Sequence, residues 1–294
     1  MSTILDGKAL SGVIKDQLKQ KCDGVFSRLG MRPGLAIVLV GDNPASCVYV
    51  ASKVKACEYV GINSVVRRFP TQATQDEVIA EVQRLAADKT VNGIMVQLPL
   101  PSGMDERAVL SYIPAEKDVD GLTAESAGKN LLGEDCLLPC TPKGIIRLIK
   151  SYGINLSGKN AVVIGRSSLV GKPLAVLLLK EDATVSVCHS KTPNLKEYTL
   201  SADVLVVAIG KRHFVTEDMV KKGAVVIDVG INRTDSGICG DVDFERVKEK
   251  ASYITPVPGG VGPMTVAMLL DNAFCAFLKQ NGIKQCDYDK RNNI

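Results

Sequence analysis

Residues 159–173 have the glycine spacing of a nucleotide-phosphate cradle. An apolar run over residues 161–164 is followed by Gly165, and Gly171 opens an apolar helix pattern. A glycine after a buried parallel strand lets the backbone turn sharply, so that the amides of the next helix point at a phosphate. The spacing departs from the common G-x-G-x-x-G pattern, because Ser167 replaces the middle glycine. The stretch predicts a nucleotide-binding βαβ unit, with an ordinary strand–helix turn as the alternative.

The residues after the next predicted strand indicate which dinucleotide this unit would bind. An NAD site usually has an acidic residue about 20 positions after the first glycine, at the end of the second strand. Here His189, Ser190 and Lys191 come after the strand pattern of residues 183–188. A carboxylate would repel a 2′-phosphate, whereas Ser190, Lys191 and Arg166 would bind one. The sequence therefore favours NADP over NAD.

A tyrosine and a lysine form a second candidate pair. Tyr49 and Lys53 are four residues apart in a predicted helix and therefore share one face. This spacing also occurs on many solvated helix faces. Gln97 is the last polar residue of another predicted strand, and ligands in open α/β sheets bind at the carboxyl ends of strands. We therefore expect Gln97 and the turn after Val40 to contribute to one cleft.

Strand and helix patterns alternate along the chain, which predicts an α/β protein with mainly parallel sheets. Ser46 and Thr141 are the predicted N-caps of two helices, and Thr74 begins a capping box. The glycine and proline content of residues 255–263 predicts a shaped loop, and residues 232–250 are a variable-looking stretch. The patterns predict helices over residues 5–29, 47–60, 74–87, 141–152 and 264–280, and strands over residues 34–40, 64–69, 94–98, 161–164, 183–188, 203–209 and 224–229.

Length and composition restrict the classes to which the protein can belong. The 294 residues are enough for two domains, and 46% hydrophobic with 23% charged residues is typical of a soluble globular protein. A net charge of +4, without a basic tract, predicts neither nucleic acid nor a membrane as a partner. The N-terminus has no leader pattern, so we expect a cytoplasmic protein. Nine dispersed cysteines and only two histidines predict reduced thiols and no metal site.

Five blocks of sequence, taken together, cover nearly the whole chain. They are the Tyr49-x-x-x-Lys53 pair, GIMVQLPLP at 93–101, DVDGL at 118–122, GRSSLVGKP at 165–173 and PGGVGPMT at 258–265. In this order and spacing they closely resemble the bifunctional methylenetetrahydrofolate dehydrogenase/methenyltetrahydrofolate cyclohydrolase family. The length matches the form that lacks a formyltetrahydrofolate synthetase domain.

The resemblance implies two α/β domains with a cleft between them. A catalytic, folate-binding domain would cover residues 1–147 and be completed by a C-terminal helix over residues 264–294. A Rossmann-type NADP-binding domain with a parallel sheet would cover residues 148–263. The resemblance also implies a homodimer formed through this second domain.

The resemblance also implies a role for each matched residue. Tyr49 would stack on the p-aminobenzoyl ring, Lys53 would be the catalytic residue held by Gln97, and Asp120 would accept hydrogen bonds from the pterin. The implied substrate-binding residues are Tyr49, Lys53, Gln97, Leu98, Pro99, Asp120, Gly259 and Gly260, with Lys53 and Gln97 as the catalytic pair. The implied cofactor-binding residues are Gly165, Arg166, Ser167, Ser190, Gly210 and Ile231.

Two successive reactions are implied, both in one-carbon folate metabolism. NADP⁺ would oxidise 5,10-methylenetetrahydrofolate to 5,10-methenyltetrahydrofolate, and hydrolysis of the latter would give 10-formyltetrahydrofolate. Lys53 would act either as a base with a lowered pKa or as a charged group that polarises the substrate. A shikimate-type dehydrogenase is an alternative, but it leaves Asp120 and residues 258–263 unexplained. A non-catalytic nucleotide-binding protein is a second alternative.

Overall fold

The computed structural model describes residues 2–235 and 237–283. Contacts group these residues into two compact units. One unit contains the chain up to Gly12 together with Thr141–Thr265, and the other contains Val13–Cys140 together with the described residues from Val266 onward.

The described residues contain every helix and strand predicted above, with ends that differ by at most three residues. The strands are β1 (Thr3–Ile4), β2 (Gly34–Val40), β3 (Asn63–Phe69), β4 (Gly93–Val96), β5 (Asn160–Ile164), β6 (Thr184–Cys188), β7 (Val204–Val207), β8 (Val225–Asp228), β9 (Asn232–Thr234), β10 (Gly237–Cys239) and β11 (Tyr253–Ile254). The helices are α1 (Gly7–Leu29), α2 (Pro44–Val60), α3 (Gln75–Ala87), α4 (Glu106–Leu110), α5 (Ala124–Leu132), α6 (Cys140–Ser151), α7 (Gly171–Lys180), α8 (Leu195–Ser201), α9 (Phe244–Val247) and α10 (Val261–Gln280).

Two of the three predicted helix caps differ from the structure. The side chain of Asn43 caps α2 by accepting hydrogen bonds from the N–H groups of Ala45 and Ser46, so the prediction of Ser46 as the cap is wrong. The prediction fails because Pro44 already begins the helix, and proline is well suited to the first helical position. α6 begins at Cys140, which puts Thr141 inside its first turn. The capping box at Thr74 is confirmed.

The smaller of the two parallel sheets has the order β3-β2-β4, while β9 and β10 form a separate antiparallel pair. Every residue of β2 is buried, which explains why it is an unbroken apolar run. From β2 the chain passes to β3 on one side and then to β4 on the other. The switch point of this sheet therefore lies between the carboxyl ends of β2 and β4.

The larger sheet has the order β1-β11-β8-β7-β5-β6 and is also parallel throughout. The chain passes from β5 to β6 on one side and to β7 on the other, so its switch point lies between β5 and β7. The predicted fold class, α/β with a Rossmann-type parallel sheet, is confirmed. The pairing of β1 with β11 explains why the first residues group with this sheet, although the predicted domain boundary puts them with the other one.

α10 is the helix predicted to complete the first domain. Its described residues from Val266 onward group with Val13–Cys140. The helix has the length and mean hydropathy of a membrane span, but 67% of its most apolar window is buried inside the protein, as in the core helix of a soluble protein. The end of the predicted segment, residues 284–294, lies outside the described residues.

Candidate active site

Lys53 lies on α2 in the unit of the smaller sheet, and only 9% of the residue is exposed. Its Nζ donates a hydrogen bond to Oε1 of Gln97 at 2.9 Å. Both ends of α2 are held, by the Asn43 cap at its start and by Gly61 in the left-handed conformation at its end. The helix therefore presents Lys53 to the end of β4.

Gln97 comes directly after β4, at the switch point between β2 and β4. Its backbone N–H donates to the carbonyl of Val38 at 2.8 Å, which continues the sheet pairing. Its side-chain Nε2 donates to the carbonyl of Leu98 at 2.6 Å, so Oε1 is the atom that accepts from Lys53. Gln97 thereby holds the lysine amine at the carboxyl edge of the sheet.

Burial changes the acidity of the Lys53 amine. It lowers the pKa of Lys53 below the ordinary 10.5, because desolvation disfavours the ammonium form. The charge of Asp120 opposes this shift, since a nearby carboxylate favours the ammonium form. A lysine with a lowered pKa is neutral more often near pH 7 and can then accept a proton.

Asp120 lies in a turn that follows a single bridged residue beside β4. Asp118 forms a parallel bridge with this strand, and the next residue, Val119, is completely buried. The carbonyl of Val119 accepts hydrogen bonds from Nδ2 of Asn272 at 2.8 Å and from Sγ of Cys140 at 3.2 Å. These bonds fix the backbone directly before Asp120.

The two acids of this segment have different environments. Asp118 is buried, and its carboxylate accepts from the backbone N–H groups of Leu122 at 3.2 Å and Thr123 at 2.8 Å. Asp120 is partly exposed. Burial nevertheless raises the pKa of its carboxyl, and the positive charge of Lys53 opposes this rise. Asp118 therefore holds the turn, whereas the Asp120 residue remains partly exposed.

Three more predicted substrate-binding residues lie on the same elements. Tyr49 is one turn before Lys53 on α2 and is 39% exposed. Leu98 and Pro99, directly after Gln97, are joined by a cis peptide bond and are partly and largely exposed, respectively. Aromatic and apolar surface thus adjoins the lysine and the glutamine along the chain.

Gly259 and Gly260, also predicted to bind substrate, belong to the unit of the larger sheet. The carbonyl of Gly259 accepts from the N–H of Lys8 at 2.8 Å, and the N–H of Gly260 donates to the carbonyl of Pro256 at 2.9 Å. Their loop is therefore tied to the first turn of α1. The structure does not group them in one unit with Lys53, Gln97 and Asp120.

The loop between β5 and α7 has the backbone geometry expected from its glycines. Gly165 has a φ of +122°, and a β-carbon there would lie 2.3 Å from the carbonyl oxygen of Ala208. A β-carbon on Gly171 would lie 2.1 Å from the carbonyl oxygen of Gly165. Arg166 and Ser167 are exposed, and the Ser167 hydroxyl accepts from the amide that precedes α7 at 3.2 Å. The glycines permit the turn, and the polar side chains between them face solvent.

The end of β6 lies beside this loop. Ile164 and Cys188 are register partners in β5 and β6, so Arg166 and Ser190 each stand two residues after a paired position. Ser190 and Lys191 are exposed, and the backbone N–H of Lys191 donates to Nδ1 of His189 at 3.2 Å. A guanidinium, a hydroxyl and an ammonium group thus come after two neighbouring strand ends, which suits a phosphate ester.

Gly210 and Ile231 come after β7 and β8, the next strands of the same sheet. Ile231 is 48% exposed, and the amide of Gly210 donates to the carboxylate of Asp241 at 2.9 Å. Asp241 and its buried neighbour Asp228 were not among the predicted site residues. The available signals were an acid that ends the apolar strand at 228 and the glycine–acid pair at 240–241.

This set of residues fits NADP better than a metal ion. A dinucleotide with a 2′-phosphate matches three features: a glycine turn that a ligand's phosphate can approach, exposed cationic side chains, and the absence of an acid at the end of β6. Within residues 2–235 and 237–283, no group of three or more His, Cys, Asp or Glu side chains is arranged to hold a metal.

Comparisons with known proteins cover both units. A family model for the catalytic domain of tetrahydrofolate dehydrogenase/cyclohydrolase matches residues 5–120. A model for the NAD(P)-binding domain of the same family matches residues 139–281.

Individual relatives match over nearly their full length. The chain is 52% identical over 275 residues to the bifunctional protein FolD of Halalkalibacterium halodurans, which covers 94% of this chain and 98% of that protein. The crystal structure of the bifunctional FolD methylenetetrahydrofolate dehydrogenase/cyclohydrolase from Campylobacter jejuni has a TM-score of 0.93 at 51% identity, covering 95% of this chain and all of that one. The Trypanosoma brucei enzyme, complexed with NADP cofactor and inhibitor, has a TM-score of 0.91 at 37% identity, covering 95% of this chain and 98% of that one.

Proposed function

Because the chain belongs to the tetrahydrofolate dehydrogenase/cyclohydrolase family, we propose that it carries out both reactions for which that family is named. It oxidises 5,10-methylenetetrahydrofolate to 5,10-methenyltetrahydrofolate with NADP⁺, and it hydrolyses the methenyl compound to 10-formyltetrahydrofolate. The observation that supports this best is the buried Lys53–Gln97 hydrogen bond, with the Asp120 carboxyl close enough to change the pKa of the lysine.

Lys53 is the proton acceptor of the hydrolysis. Water adds to the carbon of the methenyl cation, and one proton of that water passes to Nζ, which leaves a neutral carbinol. The carbon–N5 bond then breaks as the carbinol O–H proton moves to N5, which leaves a formyl group on N10 and an N–H at N5. Nζ finally releases its proton to solvent. The lowered pKa of Lys53 supports the role of base over that of a permanently charged polariser. Gln97 keeps Nζ in place, because its oxygen accepts a hydrogen bond from the neutral and from the charged amine.

Asp120 and Tyr49 bind and orient the folate. An ionised carboxylate offers only acceptors, which match the N–H donors of the pterin. Tyr49 presents an exposed ring, which suits stacking on the p-aminobenzoyl group. Leu98, Pro99, Gly259 and Gly260 complete the proposed substrate contacts.

The residues after β5–β8 hold the cofactor. NADP⁺, when bound, accepts the hydride that leaves the methylene bridge. Arg166, Ser167 and Ser190 bind its phosphates through charge-assisted and hydroxyl hydrogen bonds, and Gly165 makes room for its backbone contacts. Gly210 and Ile231 contribute the loops after β7 and β8.

One assay tests this proposal against both alternatives. NADPH absorbance is measured with 5,10-methylenetetrahydrofolate or shikimate as the substrate, and the loss of methenyltetrahydrofolate absorbance is measured separately. We expect NADPH to form with the folate only, and methenyl hydrolysis to proceed. Turnover of shikimate, or cofactor binding with no turnover of either substrate, would overturn the proposal.

We further propose a cytoplasmic homodimer that supplies 10-formyltetrahydrofolate to purine biosynthesis. β6 is an edge strand of the larger sheet, and Val187 on it is 38% exposed, as expected of a strand that another copy covers. None of the described cysteines forms a disulfide, which suits a reducing compartment. Light scattering after size exclusion should give twice the chain mass of 31.4 kDa, and a single-chain mass would exclude the dimer.

A further inference from the structure

The carboxylate of Asp241 is completely buried and accepts four hydrogen bonds. Oδ2 accepts from the backbone N–H groups of Ile209 at 2.8 Å and Gly210 at 2.9 Å. Oδ1 accepts from the backbone N–H of Lys211 at 2.7 Å and from Nδ2 of Asn232 at 2.9 Å. Three consecutive amides of the loop after β7 thus converge on one carboxylate, as they would on a bound anion.

A second buried carboxylate, that of Asp228, supports the first. Its Oδ1 accepts from the N–H groups of Gly230 and Asp241, and its Oδ2 accepts from the N–H of Val242, all at 2.9 Å. A β-carbon on Gly230 would lie 2.2 Å from Oδ1 of Asp241, and one on Gly240 would lie 1.8 Å from Oδ2 of Asp228. The two acids and two glycines therefore form one close-packed arrangement.

Burying two carboxylates so close together costs folding free energy, which suggests that the arrangement serves a function. Buried charges are normally paired with a cation, yet in the part of the chain that the structure describes neither carboxylate forms an ion pair with Lys or Arg. Backbone amides and the side-chain amide of Asn232 compensate them. The loops that supply these amides carry Gly210 and Ile231, two of the proposed cofactor-binding residues.

We propose that Asp241, supported by Asp228, is a positioning residue that holds the loops after β7 and β8 in the conformation that binds NADP. The inference rests on the proposed NADP site. Asp241 does not touch the cofactor in this account, because its oxygens already face four protein donors. It acts through Gly210 and through Asn232, the residue directly after Ile231.

Asp241→Asn is an informative variant, because each carboxylate oxygen faces two donors. Whichever oxygen becomes the NH₂ group, two N–H donors then face another donor. The size of the side chain hardly changes, so the packing around Gly230 is kept. We expect the loop after β7 to lose its defined conformation and the dissociation constant of NADPH to rise about tenfold or more.

The test measures NADPH binding by fluorescence titration, and also methenyltetrahydrofolate hydrolysis without any NADP present. Asp243→Asn is the matched control, because Asp243 lies two residues further along and its carboxylate forms only a 3.7 Å ion pair with Arg246. Asp241→Asn should weaken NADPH binding and keep hydrolysis within about twofold of wild type, and Asp243→Asn should change neither. In the dehydrogenase assay the loss should appear in KM for NADP⁺ more than in kcat.

Three outcomes would overturn the inference, and they can be told apart. NADPH binding unchanged in Asp241→Asn removes the positioning role and leaves the proposed function intact. Parallel loss of binding and hydrolysis assigns Asp241 to general stability. Failure of the wild type to bind NADPH overturns the proposed cofactor site itself. If Asp241→Asn does not fold, Asn232→Ala removes one of the four donors and should weaken NADPH binding by about threefold, and an unchanged affinity again contradicts the role.

Discussion

The two parallel sheets each have a topological switch point, but they use it differently. Between β2 and β4 the smaller sheet brings side chains together: Lys53 and Gln97 are buried and hydrogen-bonded, and Asp120 is close enough to change the pKa of the lysine. Between β5 and β7 the groups that the larger sheet presents to a ligand are mainly backbone amides of the loops after its strands. Its carboxylates, Asp228 and Asp241, are used to hold loops.

This difference separates proton transfer from binding. A lysine that exchanges protons near pH 7 needs a lowered pKa, and burial supplies this shift for Lys53 against the opposing charge of Asp120. A group that binds a phosphate needs a fixed charge or a hydrogen-bond donor at the surface, and the exposed side chains of Arg166 and Ser190 offer a guanidinium and a hydroxyl. The same α/β architecture therefore supports two kinds of site, and the difference lies in the residues placed directly after each strand.

The largest expected effect tests the proton-transfer side of this comparison. Lys53→Met removes the base but keeps most of the length and the apolar part of the side chain, so hydrolysis of the methenyl compound should fall about 10²–10⁴-fold. Hydride transfer needs positioning more than a base and should fall far less. Steady-state rates of both reactions in the same preparation measure the ratio. Equal losses with folate binding intact would give Lys53 a shared positioning role.

Asp120→Asn is expected to have the next largest effect. It replaces one acceptor oxygen by a donor that would face the pterin N–H groups, which should cost about 2–4 kcal/mol, or roughly 30- to 1000-fold in kcat/KM for the folate. Asp118→Asn is the control from the same segment. Because Asp118 holds the Leu122 and Thr123 amides, its replacement should lower the thermal stability and change the folate KM far less than Asp120→Asn does. A folate KM and kcat unaltered in Asp120→Asn would remove this residue from the site.

Asp228 allows a test on the larger sheet by pH. Burial raises the pKa of Asp228 from 3.8 to about 6, so the folded state holds its proton more tightly than the unfolded state does. The group therefore stabilises the fold at low pH, and this contribution of about 3 kcal/mol is lost as pH rises from about 4 to about 6. The free energy of unfolding, measured with denaturant across this range, should fall with rising pH in wild type, and this contribution to the slope should be missing in Asp228→Asn. The same slope in both proteins would contradict the shift.

Arg166→Ala is expected to have the smallest effect of the four. It should weaken NADP⁺ binding by about 2 kcal/mol through the loss of charge-assisted phosphate bonds, and affect NAD⁺ less. Titrations with both cofactors measure the difference. Equal weakening of NADP⁺ and NAD⁺ would show that Arg166 does not bind the 2′-phosphate.

Much of the fold could be predicted from local patterns. β2 and β5 are buried on both faces and are therefore continuous apolar runs, and the Thr74 capping box lies entirely within four residues. The predictions of Ser46 and Thr141 as caps are wrong. α2 begins at Pro44, before Ser46, so Asn43 is the residue that caps its first amides, those of Ala45 and Ser46.

The candidate site was predictable only in part, because some of it depends on contacts between distant residues. The blocks around Lys53, Gln97 and Asp120 are recognisable as motifs, but the Lys53–Gln97 bond joins residues 44 apart in sequence. Asp241 reaches amides about 30 residues earlier in the chain, and no local period marks it. The role of a single acid after a glycine cannot be predicted from the sequence alone, because its hydrogen-bond partners come from loops that only the folded sheet brings together.

The central claim is that the Lys53 amine is the base of the hydrolysis. Burial lowers the pKa of this amine, and the negative charge of Asp120 partly offsets the lowering. The most direct measurement is the pH profile of cyclohydrolase kcat in wild type and in Asp120→Asn. We predict a rate that rises with pH through a pKa below the ordinary lysine value of 10.5, and a limb that moves to lower pH in the variant, because the neighbouring negative charge is lost. A limb that stays at the same pH in both proteins would contradict the account.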